Sequence, residues 1–93
     1  MTIDEYLSKY GRGPTRIVDG VLFYEVRPTK AAQWWVSGKG DTVVTVASHG
    51  QRYQVAHGGR AILSPDRTVW FTALASALHA AAAAITSRHQ PAD

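Results

Sequence analysis

The sequence contains no cysteine and no apolar run long enough to cross a membrane as a helix. Without cysteine there can be no disulfide, thiolate zinc site, iron–sulfur cluster or cysteine nucleophile. A membrane-spanning helix needs about 20 consecutive apolar residues. The acidic N-terminal segment, residues 1–5, also lacks the basic and then apolar pattern of a signal peptide. We therefore expect a cytoplasmic protein with no membrane partner.

Charge is also sparse, since charged residues make up 18% of the chain and the formal net charge is +3. A hydrophobic content of 45% is typical of globular proteins and not of disordered ones. A chain of 93 residues matches the common size of one folding unit. The composition therefore predicts a single domain over residues 1–93.

An N-terminal helix is predicted within residues 1–12. Thr2 and Glu5 have the spacing of a capping box, in which each side chain bonds the other residue's backbone N–H. Gly11 suits the position just after a helix end. The apolar residues at helical spacing are Ile3, Tyr6, Leu7 and Tyr10.

Residues 15–71 have the chemistry of a twisted antiparallel sheet with five or six strands. Asp19-Gly20 lies between β-prone segments and favours a type I′ hairpin turn, whose positive φ values these residues tolerate. The segment 42–47 is rich in β-branched residues. Glycine-containing turns recur between the predicted strands, so each strand is expected to pair with its neighbour in sequence.

Alternation assigns side chains to the two faces of this sheet. In the strand after Gln51, Tyr53 and Val55 should face one side, and Arg52 and Gln54 the other. Residues 68–71 are also β-prone and favour a last short strand, although they could instead begin the final helix.

A long C-terminal helix is predicted over residues 72–89, with Thr72 as its cap and residues 90–93 as a frayed tail. Its apolar stripe consists of Leu74, Ala77, Leu78, Ala81 and Ile85. Packing this stripe on one face of the sheet gives an α+β fold.

The sequence shows no arrangement that would serve catalysis or metal binding. The four histidines are not in a metal-ligand spacing, and no Gly-x-Ser-x-Gly elbow or phosphate-binding glycine loop is present. Most acids are explained by turns or by a helix start, and Glu25 is expected to pair with an arginine across strands. We therefore expect no enzyme activity, no cofactor and no metal.

The middle of the chain combines basic and aromatic residues. Residues 26–63 hold five cations and one anion, which indicates an acidic partner. Neighbouring aromatic residues on a strand point to opposite faces, so one ring of each pair is expected to face outward. The predicted partner-binding residues are Tyr24, Arg27, Lys30, Trp35, Lys39, Arg52 and Arg60. The alternative is that a second layer covers these rings and that the charges only form a solvated surface.

Two functions fit these features. The first is a small non-enzymatic binding protein that acts through a protein–protein interface, in the inhibitor or regulator format that phage and mobile elements use against host machinery. Its partner would be an acidic protein surface or a protein complex. The alternative is a nucleic-acid-binding domain that reads DNA or RNA with its basic, aromatic sheet face. Loss of binding on replacing Arg52 and Arg60 would favour nucleic acid, whereas a larger effect at Trp35 or Tyr24 would favour protein.

A run of five alanines in the C-terminal helix allows one further interpretation. Small side chains let two helices approach closely, so Ala80, Ala83 and Ala84 could form a homodimer contact. The alternative is that the run only reflects the high helix propensity of alanine.

Overall fold

The computed structural model describes residues 2–30 and 32–86. In chain order the elements are α1 (Ile3–Tyr10), β1 (Thr15–Val18), β2 (Val21–Val26), β3 (Trp34–Lys39), β4 (Thr42–His49), β5 (Arg52–His57), β6 (Arg60–Ile62) and α2 (Leu74–Thr86). None of the helices in this part of the chain has the length and apolarity that a membrane span requires. The predicted helix end at residue 89 and the tail at 90–93 lie outside the described residues.

The six strands in this part of the chain form one antiparallel sheet in the order β1-β2-β3-β4-β5-β6. Two-residue turns join β1 to β2, β3 to β4, β4 to β5 and β5 to β6, so each of these strands folds back on its predecessor. Asp19 and Gly20 adopt φ values of 52° and 80°, as the predicted type I′ turn requires. The predicted α+β fold is confirmed.

The helix α2 packs across one face of the sheet and forms the larger core. Phe23, Val44, Val46 and Val55 are almost fully buried beneath it. The predicted apolar stripe of α2 is confirmed, because Ala77, Leu78, Ala81 and Ile85 are buried and Leu74 is partly buried against them. A polar contact adds to this packing, since the Nδ1 atom of His79 on α2 lies 2.6 Å from the Oδ2 atom of Asp19 in the first turn.

The helix α1 packs on the opposite face, over β2 and β3. The predicted capping box is present: the Glu5 N–H donates to the Thr2 hydroxyl over 3.2 Å, and the Thr2 N–H donates to the Glu5 carboxylate over 2.7 Å. Beneath α1, Leu7, Val26 and Val36 form a smaller buried cluster. The backbone of Gly38 passes so close to Ile3 that a Cβ there would lie 2.7 Å from the Ile3 Cβ.

The prediction for Trp35 is wrong. Trp35 was expected to face outward, but it is only 7% exposed and lies in the core under α2. The register explains this position, because Trp35 lies opposite Val46 on β4, whose side chain faces α2. Its neighbour Trp34 therefore lies on the α1 side of the sheet.

The favoured strand at residues 68–71 is also wrong. Only Phe71 forms a bridge in this segment of the described chain, with Tyr53 of β5, and α2 does not begin until Leu74. The Trp70 N–H donates to the Thr68 hydroxyl over 3.2 Å, and that hydroxyl also bonds the Ser64 hydroxyl over 3.3 Å. These local side-chain bonds hold a turn in place of a strand.

Candidate interface on the open sheet face

On the α1 side of the sheet, no helix of the described residues lies over part of β4 and β5. Within residues 2–30 and 32–86, α1 packs against β3 and its neighbours, and no other helix packs on this side of β4 and β5. We call the exposed surface the open face. Its residues are Trp34, Ala47, His49, Arg52, Gln54 and Trp70.

The floor of the open face follows from strand register. Trp34 lies opposite Ala47, and Ala47 lies opposite Gln54, so these three residues form a row across β3, β4 and β5. Ala47 and Gln54 are partly buried, and the small alanine side chain leaves the middle of the row low. Ala47 and Gln54 therefore form the floor of the open face, with the larger Trp34 at one end of the row.

One side of this floor is built from Arg52, Trp70 and His49. The Arg52 guanidinium carbon lies 3.9 Å from the centre of the Trp70 ring, which is a cation–π contact. The His49 ring meets the same tryptophan edge-on, with 5.6 Å between ring centres. His49 and Arg52 are also directly opposite each other across β4 and β5. The three side chains thus form one cluster at the end of the sheet.

The backbone places Trp70 in this cluster. The N–H groups of Tyr53 and Phe71 each donate to the other residue's carbonyl over 2.8 Å. This bridge extends the pairing along the edge of β5 past the end of β6. Phe71 is buried under α2. Because neighbouring side chains in extended chain point to opposite faces, Trp70 is directed to the open face.

The other side of the floor is an aromatic group formed by Trp34 and α1. The ring centre of Trp34 lies 6.4 Å from that of Tyr6 and 6.1 Å from that of Tyr10, and the two tyrosines are 4.9 Å apart. Burial, with a smaller contribution from Tyr10, raises the pKa of Tyr6 to about 12. The phenol of Tyr6 is therefore neutral at physiological pH.

The backbones of Trp34 and Trp70 are three strand spacings apart, which is about 14 Å, whereas His49 on β4 and Arg52 on β5 lie one and two spacings from β3. Further along the same face, a concavity of about 390 Å³ opens between Tyr6 and the sheet residues Val43, Thr45 and Ala56. The open face is therefore a shallow groove with the aromatic group on one side and the cluster of Arg52, Trp70 and His49 on the other.

The predicted partner-binding residues do not form one surface. Arg27, Lys30 and Arg52 lie at the end of the sheet where β2 and β4 finish, whereas Lys39 and Arg60 lie beside turns at the opposite end. Tyr24 is partly buried on the α1 side.

Two of these positions are engaged in contacts within the chain. The Arg12 guanidinium lies 5.7 Å from the centre of the Tyr24 ring. Arg27 pairs with Glu25 over 3.2 Å. The expected arginine partner of Glu25 therefore exists, but it lies two residues further along the chain and not across the sheet.

Arg52 differs from Arg27 because no carboxylate in the described part of the chain pairs with it. Its guanidinium is exposed and already held over the Trp70 ring. A guanidinium in a fixed plane presents two parallel N–H donors to a carboxylate or a phosphate. Arg52 is thus the best placed of the predicted residues for contact with an anionic group.

The sequence reasoning missed His49, Trp34 and Trp70 as members of this surface. The two-residue turn between β3 and β4 fixes which residues pair, so counting back from it could have placed Trp34 opposite Ala47. For the pair Trp70-Phe71, alternation predicts that one ring faces outward, and the bridge between Tyr53 and Phe71 decides that it is Trp70.

The proposed dimer residues differ in burial, and Ala80 packs against the larger core. Ala83 is exposed, whereas Ala80 and Ala84 are partly buried. The homodimer stays a prediction.

Among the described residues, no three histidine, aspartate or glutamate side chains gather in a geometry that could hold a metal ion. No protein-family model, no curated protein and no solved structure matches this chain. Function therefore has to be inferred from the residues of the open face.

Proposed function

We propose that this chain is a non-enzymatic binding protein that acts through a protein–protein interface at the open face. The observation that carries the proposal is the stack of the exposed Arg52 on the partly buried Trp70, beside a groove that no helix of the described residues covers. Tryptophan, tyrosine and arginine supply most of the residues that dominate binding energy at protein interfaces. A pre-stacked arginine also loses less conformational freedom when a partner binds.

The residues of the groove support a partner with an apolar side chain next to a carboxylate. An apolar side chain would pass over Ala47 and contact the rings of Trp34 and Trp70 on either side. A carboxylate next to that side chain would accept hydrogen bonds from Arg52. An amphipathic helix with an acidic edge presents an apolar side chain and a carboxylate in this arrangement, so the proposed partner segment is of this kind.

Binding of this kind serves an inhibitor or a regulator, which acts by occupying a partner's surface. The inhibitor format that phage and mobile elements use fits the small size of the chain, and a cytoplasmic location belongs to the same proposal. A homodimer through Ala80, Ala83 and Ala84 would leave the open face free, because α2 packs on the other side of the sheet.

Nucleic-acid binding by the same face is the second candidate. It is favoured by the arrangement of Arg27, Lys30 and Arg52 at one end of the sheet, beside rings on which bases could stack. The pairing of Arg27 with Glu25 weakens it, because one of the three cations is already neutralised. We therefore place it behind protein binding.

The test is capture of a partner from lysate on the immobilised chain, followed by affinity measurements with the purified partner. Trp70→Ala and Arg52→Ala should each weaken binding by at least tenfold, the usual effect of removing a dominant interface residue. Arg60→Ala is the matched control, since this exposed arginine lies at the other end of the sheet and should leave affinity unchanged.

Binding of labelled nucleic acid, and its salt dependence, separates the two candidates. If labelled DNA or RNA binds, and affinity falls steeply between about 50 and 200 mM salt, the nucleic-acid function is correct. A captured partner that binds the Trp70→Ala and Arg52→Ala variants as tightly as the unchanged chain would contradict the proposed interface.

A further inference from the structure

A second cavity lies away from the open face, at the point where β2 and β3 part. These strands pair through Tyr24–Val26 and Trp34–Val36, and the ladder stops there. Residues 21–23 of β2 and 37–39 of β3 would face each other if it continued, but no pairing is present between them in the described chain. A cavity of about 310 Å³ occupies this gap.

The walls of the cavity are mostly aliphatic. Val21 and Leu22 line it from β2, Ile85 from the last turn of α2, and Ile3 from the first turn of α1. Ligand sites in proteins have volumes of about 300–1,000 Å³, apolar walls and a few polar groups. The gap meets the lower end of this range.

Tyr24, Ser37 and Thr86 bring hydroxyl groups to the wall, and the Thr86 hydroxyl already donates to the Ala82 carbonyl over 2.8 Å. Ser37 is the most buried of the three. This residue is 5% exposed, and no hydrogen bond joins its hydroxyl to another described residue. Ser64 makes the useful contrast, because it is similarly buried at 7% and its hydroxyl bonds that of Thr68 over 3.3 Å. A buried hydroxyl without a partner is unfavourable, so Ser37 has a hydrogen bond to gain from a ligand.

The same cavity is also lined by a cationic side chain. Lys39 lines it, is exposed to solvent, and has no ion pair with a carboxylate of the described residues. Lys39 and Ser37 are two residues apart on β3, so both side chains lie on the same face of the strand. A group bound between them would meet one hydroxyl donor and one positive charge.

We propose that this gap binds a small aliphatic carboxylate. The aliphatic chain lies among Val21, Leu22 and Ile85, and the carboxylate accepts hydrogen bonds from the Ser37 hydroxyl and the Lys39 ammonium. The site is separate from the open face, so it does not depend on the proposed protein interface.

The test uses octanoate as the probe and follows backbone amide shifts of the complete chain by NMR. Titration should shift the amides of Val21, Ser37, Gly38 and Ile85, with little change at Arg52 or Trp70. The matched pair Ser37→Val and Ser37→Thr isolates the hydroxyl, because the two side chains have nearly the same shape. The valine variant should bind octanoate about tenfold more weakly than the threonine variant.

The contribution of the Lys39 charge is tested with the same octanoate titration. Lys39→Gln should weaken octanoate binding by up to about fivefold, as expected for an exposed ion pair, and Lys30→Gln at the opposite end of the sheet should leave it unchanged. Octan-1-ol should bind more weakly than octanoate. The proposal is overturned if the amides around the gap do not respond to octanoate, if the valine and threonine variants bind equally, or if octan-1-ol binds as well.

Discussion

The two faces of the sheet are covered very differently. On the α2 side, a helix of 13 residues buries a continuous core that includes Phe23 and Leu78. On the α1 side, a helix of 8 residues buries a cluster centred on Leu7, Val26 and Val36, and the remaining surface stays open. The same sheet is thus a stable scaffold on one side and an available surface on the other.

Helix length accounts for this difference. At 1.5 Å per residue, α2 is about 20 Å long and α1 about 12 Å long. Six strands spaced about 4.8 Å apart make a sheet about 24 Å wide. The short helix cannot cover such a width, and the residues it leaves uncovered include the groove between Trp34 and Trp70.

The largest expected effect tests whether the α2 side dominates stability. Leu78→Ala should cost about 4 kcal/mol of unfolding free energy, because Leu78 is 1% exposed in the larger core. Leu7→Ala, in the smaller cluster, should cost about 2 kcal/mol. Urea unfolding followed by circular dichroism measures both. Equal losses in the two variants would show that both faces contribute equally to the scaffold.

A smaller effect is expected where α1 meets the sheet. Gly38→Ala places a Cβ 2.7 Å from the Ile3 Cβ and 3.1 Å from the Thr42 carbonyl oxygen, so α1 has to shift. Such overpacking should cost about 1–3 kcal/mol. Ser8→Ala, on the exposed side of α1, is the control and should change stability by less than about 0.5 kcal/mol. If both variants have unchanged stability, α1 is not closely packed at Gly38.

High pH should weaken the α1 side in particular. The pKa of Tyr6 is raised from 10 to about 12, so the folded chain holds this proton more tightly than the unfolded chain. The stabilisation is therefore complete below about pH 10 and is lost as the pH rises towards 12. Tyr6→Phe should remove this part of the pH dependence, as seen in thermal unfolding between pH 9 and 12. Tyr10→Phe is the control. If it abolished this pH dependence and Tyr6→Phe did not, the effect would belong to Tyr10.

Much of the fold was predictable because its signals are local. The Thr2 and Glu5 spacing defined a helix start, and Asp19-Gly20 defined a hairpin without any knowledge of the rest of the chain. Two-residue turns then set the register of successive strands, so Trp35, Val46 and Val55 fall in one row. This row is part of the larger core, and the error at Trp35 came from judging it by nearby charges and not by register.

The rest of the candidate site depends on contacts between distant parts of the chain. Trp70 joins the open face because Phe71 bridges Tyr53, and the turn before it is held by the Thr68 hydroxyl. Ser37 faces a cavity because the pairing of β2 with β3 ends early. Neither feature has a signature in residue type or spacing, so sequence patterns could not reveal it.

The smallest expected change in stability is at the open face, and it provides the clearest test of the difference between the faces. Arg52→Ala should change unfolding free energy by no more than about 1 kcal/mol, because the side chain is exposed and a cation–π contact such as that with Trp70 contributes about 0.5–1 kcal/mol at an exposed site. The same variant should lose at least tenfold in affinity for a captured partner. A surface retained for binding shows this combination of a stable fold and lost affinity. If Arg52→Ala unfolded the chain instead, the stack on Trp70 would be needed for folding. That result would contradict a binding function of the open face that is separate from stability.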